Sequence, residues 1–276
     1  MHKKNKRKLK LNQRTKTLAL VTGLLICCCI VLVTLTAMWI VPKNIYKVED
    51  RQKEIKKEQK KDEEGIETVA WLRVQGTMID TPIVAYEEGK DLSYLDKEDF
   101  LWTEANTAEY KNQIKIMGHN ILNLSATPEI GVNYFTKFED LMAFTYEDFV
   151  KENKYIQYSI GDKEYVYKVF AVLYDKSYNL DLYNTDNYSP EEMADYIKLV
   201  ESKSLYDFDI DVDASDDIIS LVTCSRLYGV DQKRQFVVVG RLLRDNEKMT
   251  NYSFETTEKY EEIQKLMKGE INYEAV

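Results

Sequence analysis

The amino-acid sequence predicts a mainly β domain, arranged as a barrel or a sandwich with helices on its connections, behind an N-terminal transmembrane helix. Two observations support this fold class. Short runs of alternating β-branched and aromatic residues recur between Ile66 and Leu243, the pattern of half-buried strands. A long uncharged segment, residues 17–41, follows a strongly basic N-terminus.

The N-terminal segment has the pattern of a membrane anchor. Residues 1–16 contain eight Lys/Arg and no acid, and residues 17–41 carry no charge. At about 1.5 Å per residue, a helix over 17–41 spans a hydrocarbon core of about 30 Å. A cleaved signal peptide is the alternative, but Thr36–Trp39 is a poor cleavage site and Trp39 is typical of an interfacial anchor. The positive-inside rule predicts a single-pass protein of the cell membrane, with a cytoplasmic N-terminus and all later residues outside the cell.

The remaining chain divides into a stalk, a domain and a tail. Residues 42–65 alternate in charge and predict a solvated stalk or helix, 66–244 the globular domain, and 245–276 a polar tail. Removing the eight N-terminal cations from 38 Lys/Arg leaves 30 against 47 Asp/Glu, a net charge of −17. This charge disfavours nucleic acid and anionic lipid as partners of the exported part.

Several elements are predicted directly from local signals. A strand begins at Val69, and residues 155–174 form a hairpin turned at Gly161–Asp162. Ser189 followed by Pro190 predicts the capped start of a helix. The last predicted elements are strands over 218–226 and 235–243 and a short helix near 257–268.

The exported part contains one thiol and one imidazole. Cys27–Cys29 lie in the predicted span and His2 precedes it, which leaves Cys224 and His119. A lone exported thiol is an intermolecular bridge, a buried apolar group or a nucleophile, and a lone His is often structural. Together they form a sufficient pair for acyl transfer, because an imidazole can take the thiol proton.

A third candidate, Arg234, follows from hairpin geometry. If the strands around Cys224 and Arg234 are antiparallel and turn about Gly229, the two residues stand directly opposite each other. A guanidinium there can stabilise the oxyanion that forms when a thiolate attacks a carbonyl. Arg226 has the same parity as Cys224 and competes for this assignment, and a one-residue register shift would move Arg234 away.

The segment Asp209–Asp217 alternates carboxylates in the manner of a calcium loop. An EF-hand loop needs Gly at its sixth position and Glu at its twelfth, where this chain has Ala214 and Ser220. We interpret the segment as an acidic loop and predict no metal site.

At these residues the chain resembles the sortase family, and class B sortases in particular. The resemblance lies in Ser220–Cys224 followed by Arg234 and the strand Phe236–Gly240, in Gly118–Asn120, and in Trp71–Val84 with Ser93–Leu95. Ser220 stands where the family usually has Thr, and Arg226 where some class B members have acids.

The resemblance implies an eight-stranded β-barrel and a transpeptidase that cleaves the C-terminal sorting signal of surface proteins at a threonine carbonyl. Cys224 would carry the acyl group as a thioester, His119 would act as acid and base, and Arg234 would stabilise the oxyanion. The acceptor would be an amine of the cell-wall peptide or a pilin lysine, and no cofactor is implied. The implied substrate contacts are Thr223, Val222, Asn120 and Leu95.

Two other functions remain open from the residues alone. A cysteine hydrolase uses the same pair, with water resolving the thioester. A non-enzymatic surface adaptor requires Cys224 to be buried and inert.

Overall fold

In a computed structural model, the structure describes residues 21–23, 68–86, 101–104, 110–120, 137–175, 185–225 and 234–271. Residues 21–23 are helical and exposed, and the rest of the predicted span, 17–41, lies outside the described residues. Among the helices in these ranges, none has both the length and the apolar character needed to cross a membrane. The transmembrane anchor therefore stays a prediction.

Eight of the described strands form a barrel: β1 Thr68–Val74, β2 Asp80–Tyr86, β3 Leu101–Glu104, β4 Gln113–Gly118, β5 Tyr155–Ile160, β6 Lys163–Asp175, β8 Ile218–Ser225 and β9 Arg234–Leu242. The barrel closes in the order β1-β2-β3-β4-β8-β9-β6-β5. β7 Tyr206–Phe208 and β10 Phe254–Thr256 form a separate two-stranded sheet. The mainly β prediction and the eight-stranded barrel implied by the resemblance are confirmed.

Two of the barrel's pairings are parallel, β2 with β3 and β4 with β8. Parallel neighbours need long crossover connections, which local sequence patterns do not reveal. The β4–β8 pair joins residues more than 100 positions apart, such as Gln113 and Ile218. The pairing brings the ends of two distant strands side by side, and the candidate site lies there.

The predicted hairpin is confirmed in strand bounds and turn. β5 and β6 pair antiparallel from Tyr155–Lys168 to Ile160–Lys163, which leaves a two-residue connection. Gly161 has a φ of +57°, in the left-handed region that such tight turns require.

In the described residues from 68 onward, the helices lie between or after the strands. They are a 3-10 helix Lys137–Thr145, α1 Glu147–Glu152, α2 Pro190–Lys203 and α3 Glu258–Met267. α2 begins with the predicted capping box: the Ser189 side chain accepts from the Glu192 amide, and Pro190 occupies the first turn. α3 confirms the predicted tail helix. The 3-10 helix and α1 were not predicted, because no capping signal marks them: Tyr146 precedes α1 without a side-chain cap.

Buried apolar residues form two clusters on opposite faces of β8 and β9. The first fills the barrel and includes Leu221 and Phe236. The second, which we call the helix-side cluster, consists of residues of β6, β8 and β9 together with α2 and includes Val222 and Val237. Since neighbouring residues of a strand point to opposite faces, the clusters define the barrel face and the helix-side face of this sheet.

Candidate active site

The predicted imidazole and nucleophile lie directly after the end of the β4–β8 pairing. The last pair of this parallel register is Gly118 with Thr223, and His119 and Cys224 are the residues that follow them. Neighbouring strands lie about 4.8 Å apart, and the Thr223 hydroxyl donates to the Gly118 carbonyl oxygen at 2.8 Å. The barrel therefore brings together two residues that are far apart in sequence.

Gly118 is required by the close packing beneath this strand end. A Cβ atom at this position would lie 2.5 Å from Cδ2 of Phe138 and 2.6 Å from Cδ2 of Leu101, much closer than carbon atoms approach. Any side chain would push β4 away from the 3-10 helix or from β3. The glycine thus keeps the strand, and His119 after it, at its position next to β8.

Cys224 is an exposed thiol and is not part of a disulfide. It is the penultimate residue of β8, and alternation from Val222 assigns it to the helix-side face. The residues before it on this strand are buried. The adaptor interpretation required a buried, inert thiol, and the exposure of Cys224 argues against it.

His119 is partly buried and packs against an aromatic ring that the sequence analysis did not single out. Its imidazole centroid lies 4.8 Å from that of Trp102, with the ring planes tilted by 49°, and its Nε2 atom is buried. Trp102 is placed there by the β3–β4 pairing, in which it stands opposite Met117. This contact restricts the imidazole orientation. The sequence carries no signal for the Trp102–His119 contact, because the contact depends on the register between β3 and β4.

The predicted register of the Cys224–Arg234 hairpin is wrong by one residue. Cys224 pairs with Gln235, and Arg234 pairs with Ser225, so the strands do not turn symmetrically about Gly229. A one-residue shift moves every side chain to the other face. Arg234 shares the barrel face with Phe236, whereas Cys224 is on the helix-side face. The side chains of Arg234 and Cys224 therefore leave opposite faces of the sheet, and they can approach each other only beyond the last β8–β9 pair, Ser225 with Arg234.

Arg234 is nevertheless buried at this end of the barrel. It is 2% exposed, and its guanidinium lies 5.1 Å from the ring centroid of Tyr174. Tyr174 reaches this position because it pairs with Phe236 across β6 and β9. The contact with the aromatic face restricts the orientation of the guanidinium. The competing Arg226 lies outside the described residues.

Three of the four implied substrate contacts are buried, and the fourth lies outside the described residues. Val222 is buried in the helix-side cluster and Thr223 is buried with its hydroxyl on Gly118. Asn120 is also buried, directly after His119, and Leu95 lies outside the described residues. In this structure the side chains of Val222, Thr223 and Asn120 are buried and offer little surface to a ligand.

The acidic loop 209–217 is organised by an arginine. Arg244 donates to both carboxylate oxygens of Asp216, at 2.8 and 2.7 Å, and also contacts Asp211 and Asp213 at 2.8 and 3.2 Å. A guanidinium that pairs with three carboxylates supplies the positive charge that the alternating acids require. The loop lies at the start of β8, at the end of the strand opposite to Cys224.

Comparison with known proteins agrees with this fold. The sequence model of the sortase domain family matches residues 72–243 of this chain. Sortase B of Staphylococcus aureus is 25% identical over 178 residues, 64% of this chain and 70% of that protein. Sortase B of Listeria monocytogenes is 26% identical over 181 residues, 63% of this chain and 69% of that protein. The crystal structure of Clostridium perfringens sortase B superposes with a TM-score of 0.55 at 26% identity, covering 68% of this chain and all of that one.

The closed eight-stranded barrel has the sortase fold, and the chain belongs to the sortase family. Membership of this family implies that the protein is a cysteine transpeptidase that takes part in cell-wall anchoring. Within the family, the similarity is to class B sortases.

Proposed function

We propose that the protein cleaves the C-terminal sorting signal of surface proteins and transfers the acyl group, through a thioester on Cys224, to an amine. The observation that carries this proposal is the parallel β4–β8 register, which ends at Gly118 and Thr223 and makes His119 and Cys224 neighbours. The exposure of the thiol and membership of the sortase family also support it.

In the first half-reaction the Cys224 thiolate attacks the carbonyl carbon of the scissile peptide bond. The carbonyl electron pair moves to oxygen, and Arg234 stabilises the resulting oxyanion from the adjoining strand. When the intermediate collapses, the carbon–nitrogen bond breaks and His119 gives its proton to the leaving amine. The products are a free amine and a thioester on Cys224.

In the second half-reaction an amine attacks the thioester. His119, now neutral, takes a proton from the incoming nitrogen, and the carbon–sulfur bond breaks to regenerate the thiolate. A new amide bond forms and the enzyme returns to its initial state. The acceptor is an amine of the cell-wall peptide or a pilin lysine.

For Arg234 the proposal rests on position and on packing. It is the first described residue of β9 after the loop, and its guanidinium lies against the Tyr174 ring at the same end of the barrel as Cys224. The side chain is long enough to reach around a strand end, and its planar fork suits an oxyanion.

The proposed location places this chemistry outside the cell. The uncharged segment 17–41 would anchor the chain, with basic residues 1–16 in the cytoplasm and the acidic domain outside. Protease protection of the N-terminus in right-side-out vesicles, with digestion of the domain, would support this topology.

The decisive experiment is mass spectrometry of the protein after incubation with a pool of sorting-signal peptides. We expect one acyl group on Cys224, and its release as an amide when an amine such as triglycine is added. An acyl group that disappears equally fast with and without amine would identify a hydrolase. No adduct on Cys224 with any peptide would refute the proposal.

A further inference from the structure

The residue directly opposite the nucleophile is a buried glutamine. Gln235 pairs with Cys224 in the β8–β9 register, so the two side chains leave the sheet on the same face with their Cβ atoms about 5 Å apart. Gln235 is 1% exposed. It follows Arg234 and precedes the apolar run Phe236–Val239, and it is therefore a polar group at a position where the strand pattern allows an apolar one.

The carboxamide of Gln235 is not satisfied within the described part of the chain. Its Oε1 atom is buried and accepts no hydrogen bond there. An unpaired buried acceptor is destabilising, and an apolar side chain of the same shape would remove that cost. Buried polar atoms without partners are uncommon in native proteins and call for a specific explanation. Here the atom lies beside an exposed nucleophile.

We propose that Gln235 is a substrate-positioning residue: its carboxamide oxygen accepts a hydrogen bond from a backbone N–H on the acyl side of the scissile carbonyl. This inference rests on the proposed function. An acceptor oxygen can bind only a donor, and the nearest donors of a peptide attached to Cys224 are the N–H groups that precede the attacked carbonyl. These groups stay beside Cys224 in both half-reactions, because the acyl part remains bound as the thioester.

A second buried glutamine provides a matched control. Gln113 is also buried with an unpaired Oε1, but its Nε2 donates to the Ser220 hydroxyl at 3.2 Å. It is the first residue of β4, six residues from His119 and so about 20 Å away along the strand. The same substitution at both positions therefore separates the loss of a buried amide from the loss of a substrate contact.

The test combines two variants with backbone-modified peptides. The nearly isosteric variants Gln235→Met and Gln113→Met are assayed with a sorting-signal peptide and with two analogues. In each analogue an ester replaces one amide on the acyl side, removing the N–H of the residue bearing the scissile carbonyl or of the residue before it. The measured quantities are the rate of acylation of Cys224, kcat and KM, and the melting temperature.

We expect one ester to slow acylation of the unmodified enzyme about tenfold, a typical effect of leaving one hydrogen-bonding group unpaired. With the parent peptide, the acylation rate of Gln235→Met should be lower by about the same factor, and the ester should lower it no further. The variant should melt at the same or a higher temperature than the unmodified enzyme. Gln113→Met should melt at a lower temperature and keep the full ester effect.

The possible failures are distinguishable. If Gln235→Met is acylated at the normal rate, or if it keeps the full ester effect, the inference is wrong and the proposed function stands. If the Met variant does not fold, Gln235→Leu is used for the same comparison, and loss of folding in both variants would show a structural role and refute the inference. No acylation of the unmodified enzyme by any peptide would refute both proposals.

Discussion

The two ends of β9 use buried cations in different ways. At the C-terminal end Arg241 is 2% exposed and pairs with Glu247, which also binds the buried Lys168 of β6 at 2.5 Å. At the N-terminal end Arg234 is equally buried, but its described contact is the face of Tyr174. The described partner of Arg241 is thus a carboxylate, and the described partner of Arg234 is an aromatic ring.

The difference separates stability from function along one strand. The ion pairs of Glu247 hold the segment after β9 against the barrel, since Glu247 also accepts from the Arg244 amide at 3.0 Å. At the other end, Gln235 pairs with the exposed Cys224, and Arg234 pairs with the next residue, Ser225. We expect substitutions at the N-terminal end to change catalysis, and substitutions at the C-terminal end to change the free energy of unfolding.

The largest effect is expected for Cys224→Ala. Removal of the nucleophile should abolish thioester formation, which mass spectrometry of the peptide-treated protein measures. Because Cys224 is exposed and forms no disulfide, the free energy of unfolding should change by no more than about 0.5 kcal/mol. Residual peptide cleavage in this variant would show that another group attacks the substrate.

His119→Ala should lower the acylation rate by about 10²–10⁴, the usual contribution of a positioned acid and base. His119→Ala also removes the contact with Trp102, so Trp102→Ala is the informative companion variant. It should reduce the rate less, because the imidazole remains but is less well oriented. A rate for His119→Ala within a few-fold of the unmodified enzyme would exclude it as the acid.

The contrast between the two arginines is tested most directly by the same substitution at each. Arg234→Lys should slow acylation by about 10²–10³, because an ammonium does not reproduce the planar fork of the guanidinium. Arg241→Lys should leave acylation within a few-fold and lower the free energy of unfolding by about 1–3 kcal/mol, since it loses charged hydrogen bonds to Glu247.

The opposite pattern would contradict the assignment of the two ends of β9. If Arg241→Lys impairs acylation while Arg234→Lys is active and less stable, the functional end of β9 has been assigned wrongly. Arg226→Lys serves as a further control: if it alone is impaired, the oxyanion assignment moves from Arg234 to Arg226.

The smallest effect is expected for the acid dependence of stability. The hydrogen bond from Arg241, followed by that from Lys168, lowers the pKa of Glu247 from 4.5 to about 2. A carboxyl with a lowered folded-state pKa stabilises the fold above its unfolded pKa, and this contribution is lost as the pH falls. Chemical denaturation between pH 6 and 2 should show Glu247→Gln to be less stable than the parent at pH 6, with the difference shrinking from about pH 4.5 towards pH 2. A difference that is constant with pH would contradict the ion pair.

Much of the secondary structure was predictable because its signals are local. The β5–β6 hairpin depends on a Gly–Asp turn with one positive φ, and α2 depends on Ser189, Pro190 and Glu192, which lie within four residues. The strands around Cys224 and Arg234 were predicted to within a residue. The 3-10 helix and α1 have no comparable signals, and they were missed.

The candidate site was predictable in its chemistry and only partly in its geometry. After the proposed membrane segment the sequence has one thiol and one imidazole, Cys224 and His119, and this composition leaves a single candidate pair for thiol catalysis. That they are neighbours depends on the parallel β4–β8 pairing across more than 100 residues. Trp102 and Gln235 acquire their positions next to the pair from cross-strand registers.

Short-range signals in the sequence thus specify the elements that carry them, the reactive residue types and, through the motifs, the family. Which strands are neighbours, and in which register, depends on the folded barrel, and this register places Gln235 rather than Arg234 opposite Cys224. Strand register is set by the packing of whole faces and by the length of the connecting loop. A shift of one residue changes no local propensity, yet it moves every side chain to the other face of the sheet.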